Sequence, residues 1–184
     1  EIRLSLVGSE MCIRDRAFPH AEFRPGQRHL AESVYKAALS GRHLMAQAPT
    51  GIGKTVATIF PLLKASPGQK LDKIFFLAAK TPGRGLALDA LELIRAGKDK
   101  EDAVLPLRVL ELVARDKACE HPDKACHGES CPLAQGFYDR LAAAREAAVR
   151  ASSLDQQSLR TIALAHQVCC LLYTSDAADE RSSV

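Results

Sequence analysis

The chain has 184 residues, of which 47% are hydrophobic and 26% charged, and its formal net charge is +3. A chain of this length and composition can build one globular domain. No apolar run approaches the roughly 18 residues that a membrane-spanning helix needs, so the sequence predicts no membrane partner. The modest positive charge suits a polyanionic partner without identifying one.

Both ends of the chain resemble translated sequencing adapter. Residues 11–16 (MCIRDR) are what the transposon end used in library preparation encodes, and residues 170–179 (CLLYTSDAAD) begin with its reverse complement. Foreign segments are set aside before the fold is considered. We expect residues 1–16 and 170–184 to be adapter-derived and to have no stable packing against the rest. The native stretch would then be about 17–169, cut from a longer gene at both ends.

The native stretch opens with a turn-forming segment, FRPGQR at 23–28, which leads into a predicted helix at 27–40. Apolar residues recur in that helix near helical spacing. A strand-like stretch follows at 42–47. A helix-compatible stretch lies at 54–64, where Pro61 is expected to bend or end the helix. Residues 66–69 (SPGQ) are typical of a turn.

Between that strand and that helix lies APTGIGKT at 48–55, which predicts a nucleoside-triphosphate site. Glycines let successive backbone N–H groups point at phosphate oxygens, the lysine reaches the β- and γ-phosphates, and the threonine hydroxyl binds Mg²⁺. The general pattern begins with glycine, whereas this chain has Ala48. A chance glycine-rich turn would need the other motif positions to be in register by coincidence. We assign catalytic roles to Lys54 and Thr55, and nucleotide contacts to Thr50, Gly51, Ile52, Gly53, Lys54 and Thr55.

Strands and helices continue to alternate up to about residue 113. Residues 73–79 (KIFFLAA) and 105–113 (LPLRVLELV) are predicted strands, and 86–95 is a predicted helix. This alternation is typical of βαβ units, and therefore of an α/β fold with a parallel sheet. From residue 114 onward the composition changes, and cysteines, histidines and turn-forming residues become frequent. Two predicted helices, at about 136–151 and 156–166, indicate an insertion rather than more sheet.

Four cysteines lie in this later stretch with the spacing C-x₆-C-x₄-C-x₃₇-C. Four thiolates suit either Zn²⁺ or an iron–sulfur cluster, although zinc sites usually have tighter C-x₂₋₄-C pairs. Disulfides and unliganded thiols are the other possibilities. Because four thiolates would complete the site, we do not expect His121 or His127 to be ligands. The candidate ligands are Cys119, Cys126, Cys131 and Cys169.

The order of these motifs resembles that of the XPD/DinG-type DNA helicases, which are iron–sulfur members of helicase superfamily 2. The matching features are RPGQ upstream of a phosphate loop of the form [A/G]-x-T-G-x-G-K-T, and four cysteines after the third strand. The resemblance implies a partial RecA-like P-loop NTPase domain at 17–113 and an inserted α-helical iron–sulfur domain at 114–169. It implies ATP, Mg²⁺ and a [4Fe–4S] cluster as cofactors. The implied activity is 5′-to-3′ unwinding in DNA repair, on single-stranded or forked DNA, by a cytoplasmic, bacterial-type monomer.

The resemblance assigns roles to further residues. Gln27, in FRPGQ, corresponds to a glutamine that reads adenine, for which its amide offers both a donor and an acceptor. Lys80, Thr81 and Arg84 correspond to the segment that touches the backbone of single-stranded DNA. From the sequence alone these three are equally compatible with a solvated loop. The four cysteines match the four cluster ligands.

The sequence departs from the family pattern in one respect that matters for activity. No D-E-A-H or D-E-A-D box occurs, since the only D-E pair is Asp179–Glu180 in the expected adapter segment. Without those acids and a second motor domain, we expect the chain to bind nucleotide weakly and not to hydrolyse ATP or unwind DNA. Two alternatives stay open. One is a metal-binding P-loop ATPase that is not a helicase, and the other is a zinc-binding nucleic-acid module.

Overall fold

The computed structural model describes residues 2–6, 17–69, 71–97, 105, 107–151 and 153–169. The chain divides into two compact units. The N-terminal unit comprises Arg3–Arg108, and the C-terminal unit comprises Val109–Val184 with the first two residues. Among the described helices, none has the length and apolar character needed to cross a membrane.

Two helices build the centre of the N-terminal unit. Helix α1 spans Gln27–Leu39 and α2 spans Lys54–Gln69. Their contact is apolar, and Ala57 of α2 is completely buried in it. A small residue at that position lets the two helices approach closely. The α1 residues that share this cluster are Leu30, Ala31 and Val34.

Helix α2 continues through two prolines, so Pro61 does not end it and the predicted turn at 66–69 is wrong. A proline has no N–H and leaves the carbonyl four residues earlier without its helical partner. For Pro67 that carbonyl belongs to Leu63, and the hydroxyl of Ser66 donates to it at 2.8 Å. Burial of the apolar face of α2, which includes Leu63 itself, outweighs the remaining cost.

A third helix of this unit, α3, spans Thr81–Ala96 and extends the helix predicted at 86–95 toward its N-terminus. Pro82 lies in its first turn, where a proline costs nothing because the N–H groups there have no intrahelical acceptor. The chain returns from α3 toward the next strand, and Arg95 donates to the carbonyl of Leu107 at 2.7 Å.

Four strands form one sheet: β1 (Ile2–Leu6), β2 (Ile74–Phe76), β3 (Leu107–Glu111) and β4 (Ser153–Leu154). Their order in the sheet is β2-β1-β3-β4. Strands β3 and β4 are parallel, with Val109 opposite Ser153 and Leu110 opposite Leu154. The expectation that the region after residue 114 adds no sheet is therefore wrong at β4. The predicted strands at 73–79 and 105–113 are confirmed with shorter bounds.

The strand predicted at 42–47 does not form. Those residues are exposed, and Met45 is fully so. A strand exists only where its backbone groups pair with a neighbour, and the place between β2 and β3 is taken by β1. Three other large apolar side chains of the unit, Phe75, Leu77 and Leu86, are also more than half exposed.

Strand β1 contradicts the expectation that residues 1–16 have no stable packing, because Ile2–Leu6 is part of the sheet. Its sequence, IRLSL, alternates apolar and polar residues with the period of a half-buried strand. Such a segment can pair with strands that have unpaired backbone groups, whatever its origin. The other expected adapter segments, 7–16 and 170–184, lie outside the described residues.

The C-terminal unit has a core of its own. After the short helix α4 (Arg115–Ala118) and the cysteine-bearing segment come α5 (Phe137–Arg150) and α6 (Gln156–Ala165), as predicted. The Asp155 carboxylate caps α6 by accepting from the N–H of Ser158 at 2.7 Å. The buried residues of the core are Ala144, Ala148, Leu154, Leu159, Ala163 and Val168.

Candidate nucleotide site and cysteine pocket

The loop before α2 has the backbone that a phosphate loop requires. Gly51 and Gly53 have φ values of +85° and +80°, a left-handed region that side chains with a Cβ rarely occupy. Helix α2 begins at Lys54, and the Ala57 N–H already bonds the Gly53 carbonyl at 3.1 Å. The loop therefore ends at a helix N-terminus, which attracts anions through its unbonded N–H groups and its dipole.

Lys54 turns back onto the loop instead of entering the core. Its ammonium donates to the carbonyl of Ala48 at 3.1 Å and to that of Pro49 at 2.7 Å. The side chain is exposed, so the charge is available to an incoming phosphate. Of the other predicted contacts, Thr50 is exposed, whereas Ile52 and Thr55 are half-buried.

Gln27 lies against this loop and is 1% exposed. Its Oε1 accepts from the N–H of Arg24 at 3.0 Å, and its Nε2 donates to the carbonyl of Gly53 at 3.3 Å. A Cβ at Gly53 would come within 2.3 Å of that Nε2. One end of the amide therefore bonds the loop and the other bonds the backbone of Arg24, just before α1. The adenine contact that the resemblance implies stays a prediction.

Arg24 is a residue of this site that sequence reasoning missed. Its guanidinium donates to the Gly51 carbonyl, so the two glycine carbonyls are held by two side chains of one segment. The FRPGQ segment does place an arginine three residues before the glutamine, which is the only hint in the sequence. Arg24 and Gly51 are 27 residues apart, and no sequence pattern predicts that they are in contact.

The three candidate DNA contacts differ in exposure. Lys80 is exposed at the N-cap of α3, and its carbonyl accepts from the Gly83 N–H at 3.0 Å. Arg84 lies in the first turn of α3 and is only 9% exposed, so its guanidinium is not displayed on the surface. The side chain of Thr81 lies outside the described part. Of the two described side chains, Lys80 is the one that is open to solvent.

The four cysteines of the C-terminal unit line one small pocket, together with His121, Leu133 and Ala134 among others. They differ in access to solvent. Cys131 and Cys169 are buried, Cys119 is half-buried and Cys126 is exposed. Although Cys131 and Cys169 are far apart in sequence, the α5–α6 pair returns the chain to the same pocket.

The arrangement of these thiols bears on which metal group they suit. Within the described residues, no group of three His, Cys, Asp or Glu side chains is placed to hold a single metal ion. Zinc with Zn–S bonds of about 2.3 Å would draw the sulfurs to roughly 4 Å from one another. A cluster of several iron atoms is held by four cysteine thiolates at wider separation, which is the donor set present. The cavity that the four thiols line is small, about 10 Å³.

A second cavity, of about 120 Å³, lies beside Cys119 within the same unit. Residues that line it are joined by polar contacts. The Glu111 carboxylate of β3 accepts from the backbone N–H of Gln156 at 2.9 Å. Arg160 of α6 binds Glu120 through two bonds of 2.6 and 2.7 Å. These contacts attach α6 to β3 and to the segment that carries Cys119.

Comparison with known proteins adds to this geometry. The family model described as DEAD/DEAH box helicase matches residues 28–131, which include the phosphate loop and the first three cysteines. No curated protein and no solved structure matches the chain. The matched region is more than half of the 184 residues. Domains of this family have a RecA-like P-loop fold, bind ATP and Mg²⁺, and act on nucleic acid. The chain belongs to the DEAD/DEAH box helicase family.

Proposed function

We propose that the chain is part of the N-terminal motor domain of an ATP-dependent DNA helicase of the XPD/DinG type. The observation that carries the proposal is the convergence of four cysteines on one pocket in a chain of the helicase family. In this proposal the RecA-like part is 17–113 and the four-cysteine iron–sulfur part is 114–169. Residues 1–16 and 170–184 are adapter-derived.

The nucleotide part of the mechanism follows from the loop. The Lys54 ammonium is held by two loop carbonyls. A triphosphate would replace those neutral acceptors with charged ones, which make stronger bonds. Thr55, at the start of α2, supplies the hydroxyl for Mg²⁺. Thr50, Gly51, Ile52 and Gly53 complete the loop, while Gln27 and Arg24 hold its shape.

Hydrolysis needs a further part that this sequence does not contain. Phosphoryl transfer depends on an acid that binds Mg²⁺ and on a residue that orients the attacking water. A D-E-A-H box would supply that acid, and none occurs in the chain. We therefore propose that this chain binds ATP weakly without turning it over. The parent protein would hydrolyse ATP and unwind DNA in the 5′-to-3′ direction.

The metal part assigns Cys119, Cys126, Cys131 and Cys169 as ligands of a [4Fe–4S] cluster. Bound there, such a cluster would supply a covalent link between four points of the C-terminal unit. The donor set and the shared pocket support this assignment. Zn²⁺ on the same thiols would instead make the unit a zinc-binding nucleic-acid module.

DNA binding is assigned to the start of α3. Lys80 offers an exposed cation beside a helix N-terminus, a combination that binds phosphate without reading sequence. Thr81 and Arg84 complete the proposed contact, for which Arg84 would have to turn outward. The proposed ligand is single-stranded or forked DNA, bound by a monomer in a bacterial-type cytoplasm during DNA repair.

The test is metal analysis of the chain purified without oxygen. Iron and acid-labile sulfide in equal amounts, with a brown colour, are expected. Stoichiometric zinc in a colourless protein would favour the zinc module. Nucleotide binding without iron or zinc would favour a P-loop ATPase of another kind. The genomic sequence across both junctions tests the rest, because a D-E-A-H box and a second motor domain should follow residue 169.

A further inference from the structure

We infer that Arg140 is a positioning residue that holds the segments carrying Cys131 and Cys169 against each other. The inference rests on the proposed four-thiolate site, but the contact itself can be tested without any metal. Arg140 lies in the second turn of α5 and is half-buried. It is not one of the donors, and nothing in the cysteine spacing points to it.

The guanidinium of Arg140 bonds two carbonyls that belong to different segments. Its Nη2 donates to the carbonyl of Gln135 at 2.6 Å and to that of Gln167 at 2.9 Å. Its Nε donates to the same Gln167 carbonyl at 3.1 Å. Gln135 stands four residues after Cys131, and Gln167 stands two residues before Cys169. One side chain therefore joins the two buried cysteines of the pocket through their backbones.

The segment that carries Cys131 is stiff where Arg140 binds it. The Cys131 carbonyl accepts from the N–H of Ala134 at 3.0 Å and from that of Gln135 at 3.2 Å. The Cys131 N–H in turn donates to the His127 carbonyl at 2.9 Å. Because these bonds close a single turn, a displacement of the Gln135 carbonyl would also displace the backbone of Cys131.

The segment that carries Cys169 is shaped for the same contact. Gln167 has φ of +54°, the one positive value outside glycine among the described residues. The Val168 N–H bonds the Ala163 carbonyl at 2.9 Å, and Val168 is 1% exposed. A non-glycine residue keeps such a backbone conformation only where its surroundings hold it in place. The two hydrogen bonds from Arg140 to the Gln167 carbonyl help to hold it.

The absence of a side chain at Gly136 leaves room for the guanidinium of Arg140. Gly136, at the N-cap of α5, has φ of +61°, and a Cβ there would come within 2.9 Å of Nη1 of Arg140. An arginine also suits the task chemically. Its flat, permanently charged guanidinium presents several fixed N–H groups, whereas a lysine presents one nitrogen on a flexible chain.

The experiment measures alkylation of each thiol in the metal-free, reduced chain, with iodoacetamide as the probe and peptide mass spectrometry as the readout. Cys170→Ser in the background makes the label on Cys169 unambiguous. We expect Arg140→Gln to speed alkylation of Cys131 and Cys169 about tenfold, which corresponds to about 1.4 kcal/mol in the cost of exposing them. Arg140→Lys should fall between Arg140→Gln and the wild type.

Two comparisons make the result specific. Arg150→Gln removes an exposed arginine from the same helix, one that pairs with Glu146 a turn away, and should change no rate. Cys119 is an internal reference, because its neighbour Glu120 is held by Arg160 and not by Arg140. Unchanged rates in Arg140→Gln, or an equal rise at Cys119, would overturn the inference.

The same variants separate this inference from the proposed function. After anaerobic reconstitution, Arg140→Gln should retain less iron per chain than the wild type or Arg150→Gln. If the wild type takes up no iron while the thiol rates change as expected, the cluster proposal fails and the role of Arg140 stands. If the wild type takes up iron and the rates do not change, the role of Arg140 is wrong and the cluster proposal stands.

Discussion

The side-chain amide of Gln27 donates to the backbone carbonyl of Gly53 from a position where an extra methyl group on the glycine would collide with it. The start of α1 and the end of the phosphate loop therefore share one contact. A side chain added at Gly53 must therefore be accommodated by Gln27, which is buried.

The first prediction uses this contact. Gly53→Ala should lower the free energy of unfolding more than Gly51→Ala does, as measured by chemical denaturation. Both glycines have φ near +80°, and an alanine there costs about 1–2 kcal/mol. A Cβ at Gly51 meets nothing within 4 Å, whereas one at Gly53 meets Gln27 at 2.3 Å. Adding Gln27→Ala to Gly53→Ala should recover the excess, and equal losses in the two single variants would contradict the contact.

The second prediction concerns Lys54. Lys54→Ala should weaken binding of an ATP analogue roughly tenfold or more, because a charge-assisted hydrogen bond contributes about 1.5–3 kcal/mol. Stability should hardly change, since the side chain is exposed. Fluorescence titration with a labelled nucleotide measures the affinity. Lys36→Ala, which removes an exposed lysine of α1, is the matched control and should bind as the wild type does.

A third prediction tests how α2 continues through Pro67. Ser66→Ala removes the hydroxyl that donates to the Leu63 carbonyl. The carbonyl then loses its replacement partner, which should cost about 1–2 kcal/mol of stability. Ser33→Ala is a suitable control, because its hydroxyl bonds a helical carbonyl on the less buried α1. Thermal unfolding that is equally affected by both changes would show that the Ser66 bond has no special role.

The fourth prediction concerns the core between α5 and α6. Ala148 is completely buried, and Ala148→Leu should destabilise the C-terminal unit by about 1–3 kcal/mol because the packed core has no room for the added carbons. Ala143→Leu places the same side chain on the exposed face of α5 and should have little effect. Circular dichroism during heating measures both. A neutral Ala148→Leu would mean that the helices are further apart than described.

The fifth prediction tests the place of β1. If residues 1–16 are adapter-derived, deleting them should let residues 42–47 pair within the sheet instead. Backbone amides in 42–47 should then exchange with deuterium more slowly in the shortened chain than in the full chain. Amides of α5, which lie in the other unit, serve as the reference. Exchange in 42–47 that stays fast after the deletion would show that this stretch is not a displaced strand.

The parts of the site that could be predicted from the sequence are those set by adjacent residues or by the lengths of neighbouring helices. The phosphate loop needs its glycines, lysine and threonine in immediate succession, so the string APTGIGKT was enough to locate it. The convergence of four cysteines on one pocket was also predicted, because two helices of similar length return the chain to its start. The number of residues between two positions can therefore show that the chain returns to the same place, when helices of known length lie between them.

The parts that were missed depend on distant partners. The stretch 42–47 has a strand-like composition, but its pairing partner is set by the rest of the sheet. Helix α2 runs through Pro61 and Pro67 because of buried contacts that a local rule ignores. The contacts from Arg24 and Arg140 each join a side chain to a carbonyl 27 residues away, and no periodicity marks them.

Because Met45 is completely exposed, it can serve as a footprinting probe for the stretch that leads into the phosphate loop. The chain has two methionines, and a thioether in water takes up one oxygen from dilute peroxide while a covered one resists. The oxidation rate of Met45 therefore reports, without any added label, whether that stretch stays exposed or becomes covered when nucleotide is added.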